Sequence, residues 1–206
     1  DNTDADLYKI RKVKSNVASS IVKCLIFGII TILSNGLFAF SRNMTFSYFM
    51  QALYLFSFDM VFIYILQYSQ QYTQVFNELS PFRTGCFAVA CLDGIQLVLN
   101  TVFHNVFTLK TVQYMGVQMY HIDTKTAFYY LHYVFVYCLV LCIIASFTIK
   151  IIQIPYFYRK KYFPILAVMC VIVAINFGCS ISEFPMDMSL PFFVCAAILI
   201  CYLTLY

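Results

Sequence analysis

Phe128 to Tyr162 reads FYYLHYVFVYCLVLCIIASFTIKIIQIPYFYRKKY. Its first part, Phe128 to Ile152, is an apolar run of about 25 residues, enough for a helix to cross ~30 Å of hydrocarbon with some tilt. Pro155 then breaks the helical pattern, and Arg159-Lys160-Lys161 follows. A short basic loop directly after an apolar span reads as cytoplasmic, because Lys and Arg are retained on that side. The stretch therefore sets a crossing, a direction and a depth scale. It also places an ionisable group, His132, inside a span.

The composition generalises this reading. Of 206 residues, 62% are hydrophobic and 11% charged, where a soluble domain is nearer ~25% charged. Mean hydropathy is +0.81. These values indicate an integral membrane protein made of helices, an all-α polytopic bundle with little room for a soluble domain. The short alternating segments of a membrane β-barrel are not seen. The nine Cys lie in or beside apolar runs without a CxxC pair, as small apolar residues rather than metal ligands or disulfides. Membrane topology accounts for the net charge of +4, which leaves no argument for nucleic acid.

Six spans are expected: Val17 to Phe40, Phe46 to Tyr68, Gly85 to Leu109, Phe128 to Ile152, Tyr162 to Cys179, and Leu190 to the chain end. Residues 1–16 form a polar, basic juxtamembrane segment, suited to lie near anionic headgroups; residues 17–206 form the membrane domain. Ser69 to Thr84 reads as a polar linker, Lys110 to Ala127 as a longer loop and Ser180 to Ser189 as another loop. The chain starts on Asp and stops within an apolar run, so it reads as a piece cut at both ends.

Basic residues orient the spans. With the N-terminus inside, Lys9, Arg11, Lys12, Lys14, Lys23, Arg83, Lys150, Arg159, Lys160 and Lys161 fall on the cytoplasmic side. Arg42, Lys110 and Lys125 fall on the other, 10 against 3 of the 13 basic residues. Both ends of the chain then face the cytoplasm, in the cell membrane. Asn43-Met44-Thr45 matches a glycosylation sequon on the outer side, a short match best explained by chance.

Ionisable and amide groups at membrane depth are costly and are functional candidates by default. Asp59 and Asp93 are the intramembrane acids, at similar distances from the cytoplasmic surface, so they are able to meet and share a proton. The alternative is that each hydrogen-bonds a neighbouring helix. Asp93, Gln96, Asn100 and His104 recur at steps of three, four and four, one helix face. Asn100, His104, His132, Asn35 and Asn176 all fall in the outer half of the bundle. The functional reading is an outward-facing pocket for a small ligand, flanked by Tyr129, Tyr130 and Tyr133. The competing reading is interhelical hydrogen bonding alone, with the tyrosines as an interfacial belt. The apolar inner half and the lack of paired Gly/Pro interruptions argue against a transport path. The chain carries no phosphate loop, nucleophile elbow or HExxH, so it presents no catalytic residues, and nothing in it calls for a cofactor or metal.

LYKIRKVKSNVASSI leading into a span, DMVFIYILQYSQQYT, FYYLHYVFVY, the basic loop IPYFYRKKYFPIL and FPMDMSLPFF before the last span together carry a resemblance. In that order they resemble the seven-transmembrane N-terminal sensor domain of bacterial diguanylate cyclases (GGDEF proteins) and sensor histidine kinases. The likeness runs from Leu7 to nearly the end and is one of span order and loop chemistry. It implies a further span before Asp1 and a cytoplasmic output domain in the same polypeptide, after Tyr206. It also implies a dimeric output, hence a homodimer, and an input signal from a small molecule or the membrane whose identity the family does not specify. The rival readings are a secondary transporter or permease fragment and a membrane protein of purely structural role.

Overall fold

The structure, a computed structural model, describes residues 2–76, 80–114, 116–160 and 162–181. It is mostly helical, 81%. In chain order the elements are α1 (Asn2–Phe40), α2 (Met44–Thr73), α3 (Ser80–Phe103), β1 (Phe107–Tyr114), β2 (Val117–Lys125), α4 (Ala127–Gln153), α5 (Tyr156–Arg159) and α6 (Phe163–Ile181). Four helical segments are long and apolar enough to cross a membrane: Ser15–Phe40, Met44–Thr73, Pro81–Phe103 and Ala127–Gln153. At 1.5 Å per residue even the shortest exceeds a ~30 Å hydrocarbon core. The apolar part of α6, Phe163–Gly178, is shorter than these four. The expected sixth span, Leu190 to Tyr206, lies outside the described residues.

The bundle is organised around α2. It packs against α1, α3 and α4, while α6 packs on α4. In the most apolar window of α2, 78% of residues are buried, against 28% in α1, 28% in α3 and 33% in α4. A helix that is apolar on every face belongs in a protein interior or a membrane. The outer helices keep one face for lipid, as with Leu33, Leu92, Val98 and Leu141, all exposed. Small residues let α2 approach its neighbours: Ser47, Ala52, Ser57 and Ser69 are all buried. Gly94 does the same for α3, where a Cβ would meet the Phe56 ring at 2.5 Å.

Local chemistry sets the helix ends. Asn43, the residue of the sequon match, caps α2 by accepting from the Phe46 N–H at 3.1 Å. Pro155 forces Ile154 into an extended conformation and so ends α4. Arg159 Nε then donates to the freed Ile154 carbonyl at 3.2 Å. Two sequence expectations are displaced here. The first helix begins at Asn2, so the basic juxtamembrane segment is helical and continuous with the span. The Ser69 to Thr84 linker is partly helical, with α2 running on to Thr73 and α3 starting at Ser80.

The larger correction concerns the third span and the loop after it. The helix expected to reach Leu109 stops at Phe103, and the segment read as a loop is an antiparallel hairpin. Asn100 is the physical cause. Fully buried, it accepts from the Val106 N–H at 2.7 Å and the Phe107 N–H at 3.3 Å, and donates to the Phe107 carbonyl at 3.1 Å. It thus satisfies the backbone that a helix would have paired. His104 turns the chain at φ +52, a left-handed position that His tolerates better than most residues. Thr126 closes the hairpin base by donating from its hydroxyl to the Asn105 and Val106 carbonyls. The strands pair from Phe107 with Lys125 to Tyr114 with Val117, and Gly116 at φ +79 sits in the connection.

The hairpin is tied to α2 by Tyr48. Its hydroxyl accepts from the Leu109 N–H at 2.9 Å, and its ring stacks on Phe107 at 5.7 Å. Tyr120 donates to the Arg42 carbonyl at 3.2 Å, which brings the hairpin over the α1–α2 turn. On the open face Lys110 and Asp123 pair at 2.8 Å. Hydrogen bonding to and the positive charge of Lys110 hold the Asp123 carboxyl below its usual range. Its small contribution is therefore present at neutral pH and lost only as pH falls through that lowered value.

Two outcomes are expected. Asn100→Ala leaves two buried N–H groups without an acceptor and should cost about 3 kcal/mol, read as a lower unfolding midpoint and faster proteolysis in the hairpin. An unchanged midpoint would refute the role of Asn100 in holding the turn. On a background without native Cys, single cysteines at Lys125 and Lys160, beyond opposite ends of α4, should label from opposite faces of the membrane. Labelling of both from one face would refute the crossing of α4.

Candidate functional site

The buried polar centre of the bundle draws on three helices. α2 supplies Asp59, α3 supplies Asp93 and α4 supplies His132. His132 Nδ1–H donates to Asp93 Oδ2 at 2.8 Å and lies 3.5 Å from Asp59 Oδ2. The His132 and Asp59 side chains are fully buried, and that of Asp93 is 17% exposed. Neither oxygen of Asp59 makes a hydrogen bond among the described residues, nor does His132 Nε2. One buried carboxyl group is thus approached by the imidazole without a directed bond, while its neighbour forms one.

Local sequence explains how the three meet. Asp59 lies midway along the enclosed helix, between Phe58 and Met60, both buried. Asp93 precedes Gly94, whose missing side chain lets Phe56 of α2 lie against α3 beside the cluster. His132 lies in the second turn of α4 with Tyr133 edge-on to its ring at 5.3 Å. Tyr133 begins a chain of contacts away from the site. Tyr129 donates to the Tyr133 hydroxyl at 3.3 Å, Tyr133 lies 6.4 Å from Tyr137, and Tyr137 donates to Asn176 of α6 at 3.2 Å. At the other end Lys125 sits over the Tyr129 ring at 5.5 Å. The tyrosine row therefore connects the hairpin, the cluster and α6.

The cluster offers one imidazole nitrogen and two carboxylate oxygens within 4.8 Å of one another. That spacing would let Asp59, Asp93 and His132 share one cation, a proton or a metal ion. No metal ligand set is read from the sequence, because the three residues belong to three spans and no motif spacing links them.

The expected outer pocket is distributed differently. Of its five candidates, His132 joins the two acids. Asn100 holds the turn into the hairpin. His104 has left the helix face that it was expected to share with Asp93 and Gln96. Its ring lies 4.3 Å from that of Tyr48, and its Nδ1 is 3.1 Å from the Asn100 carbonyl. Asn176 bonds Tyr137, and Asn35 is buried near the end of α1. The anticipated meeting of Asp59 with Asp93 does occur, with His132 between them. The described cysteines form no disulfide among the described residues; Cys24 and Cys86 are buried, as expected of apolar residues, and Cys138 and Cys170 are exposed. Compared with protein-family models, curated proteins and solved structures, the chain matches none.

A buried charge that loses its partner is more damaging than the loss of both. His132→Ala should destabilise the bundle by about 3 kcal/mol. The double variant Asp59→Asn/His132→Ala should recover part of that loss. Unfolding in detergent micelles, analysed as a double-mutant cycle, checks this. Additive effects would show that Asp59 and His132 do not interact.

Proposed function

We propose that the chain is the membrane-embedded sensory input domain of a signalling protein. It relays an extracellular or membrane signal to a cytoplasmic output domain, with a GGDEF diguanylate cyclase as the first candidate and a histidine kinase as the second. The observation that carries this reading is the Asp59–His132–Asp93 cluster. Ionisable residues buried within spans are retained where they serve a function. This cluster joins three helices through one short bond and one longer approach. Such a junction has two natural arrangements, with His132 held by Asp93 alone or drawn to both acids. A change in its occupancy would bias α4 relative to α2 and α3.

The basic residues, 10 against 3, support an orientation with the hairpin outside and the Arg159–Lys161 connection in the cytoplasm. In that orientation the tyrosine row of α4 links the outer face to the cluster and to α6, which precedes the end of the chain. The span order and loop chemistry resembling seven-transmembrane input domains support a sensor over a structural protein. The same cluster also suits a proton-coupled transporter, since buried acid–histidine groups serve as proton relays.

Expression of the intact gene in bacteria, with cyclic di-GMP quantified by mass spectrometry, tests the reading. At matched amounts in the membrane, Asp59→Asn and His132→Gln should each shift the nucleotide level several-fold from wild type. Equal cyclic di-GMP and equal phosphotransfer in wild type and both variants would overturn it. Substrate flux in proteoliposomes that those variants abolish would favour the transporter.

A further inference from the structure

The end of the bundle opposite the hairpin holds a cleft of about 330 Å³ between α1, α2 and α3. That volume is at the lower end of the range for small-molecule sites. Lys23 of α1 and Arg83 of α3 supply two cations to its lining, with Gln67 of α2. No carboxylate is among the described residues of the lining. Lys23 Nζ sits over the Tyr64 ring, 5.7 Å from its centroid. Arg83 Nη1 is buried without a hydrogen bond among the described residues. Both residues lie within the apolar segments Ser15–Phe40 and Pro81–Phe103. A guanidinium and an ammonium lining one cleft, with one buried donor unused, leave its described lining short of negative charge.

We infer that this cleft binds the phosphodiester headgroup of an anionic phospholipid. Arg83 presents a planar fork of donors that matches phosphate oxygens, and Lys23 adds a point charge. The surroundings favour a lipid over a soluble phosphate. Ile63 and Phe87 form the apolar part of the lining. Near Lys23 and Arg83 in the sequence, Val22 and Ile26 of α1 and Phe82 of α3 are exposed, apolar side chains available to acyl chains. In the orientation proposed above, the cleft opens in the cytoplasmic leaflet, where anionic lipids gather around basic residues. The site is separate from the Asp59–His132–Asp93 cluster, and binding there does not depend on a sensory role.

The purified protein in nanodiscs tests the inference, with phosphatidylglycerol in phosphatidylcholine compared with phosphatidylcholine alone. Phosphatidylglycerol should raise the unfolding temperature and stay bound when the protein is released for native mass spectrometry. Lys23→Gln/Arg83→Gln should weaken that retention about tenfold or more, the loss of at least one charge-assisted contact. Lys160→Gln, outside the cleft, should not weaken it. Lys23→Gln alone, at an exposed position, provides the readout where the double variant lowers the yield of folded protein. Three results would overturn the proposal: equal retention of the zwitterionic lipid, undiminished retention by the Lys23 variant, or an equal thermal shift from inorganic phosphate, which would make this a soluble-anion site.

Discussion

Asp59 is a carboxylate in the middle of the most enclosed helix of the bundle. Its side chain is fully enclosed, and the group that approaches it is the imidazole of His132, at 3.5 Å. Burial of an isolated charge is prohibitive, so the position exists only because α4 brings His132 to it and α3 brings Asp93 to His132. This requirement sets how close the three helices must come and at what level. The small residues along α2 and the glycine after Asp93 meet that demand. The outer helices, by contrast, need only an apolar face toward lipid, and they carry most of the exposed Leu, Ile and Val.

The membrane character and the long helices were legible from hydropathy, and the observed α4 differs from the expected span by one residue at each end. Apolar length is a strong signal because it sums over many residues. The end of the third span was not legible. Its apolar text continues past Phe103 through Val106, Phe107 and Leu109, and hydropathy cannot distinguish a membrane helix from a buried strand. The decisive residue was Asn100, whose amide replaces helical hydrogen bonds with a turn. Read by spacing alone, it fell on a polar face with Asp93 and His104. Met115-Gly116, between two stretches rich in β-branched and aromatic residues, was the available hairpin signal.

The buried cluster was half legible. Depth arithmetic placed Asp59 and Asp93 at one level because both lie midway along their spans. It grouped His132 with the outer amides, whereas its ring meets Asp59 and Asp93. Within the first turns of α4, Tyr129 and His132 are buried while Phe128, Tyr130 and Leu131 are exposed, so one face of the helix carries His132 into the bundle. Rotation about the helix axis is a second quantity that depth does not supply. The side chains of Asn100 and His132, both assigned to one pocket by depth, point to different neighbours.

The placement of the cluster on helices far apart in sequence has a consequence for biosynthesis. Chains are made from the N-terminus, so α1 and α2 enter the membrane as a pair before α4 has been made. During that interval Asp59 lies in the bilayer beside α1 without its imidazole, and the pair is held by close packing of small and aromatic side chains. The arrival of α4 supplies the missing polar partner. A chain stopped before His132 keeps an uncompensated acid in its central helix, a defect that membrane quality-control proteases can detect. The same carboxylate that organises the finished bundle thus also marks the unfinished one.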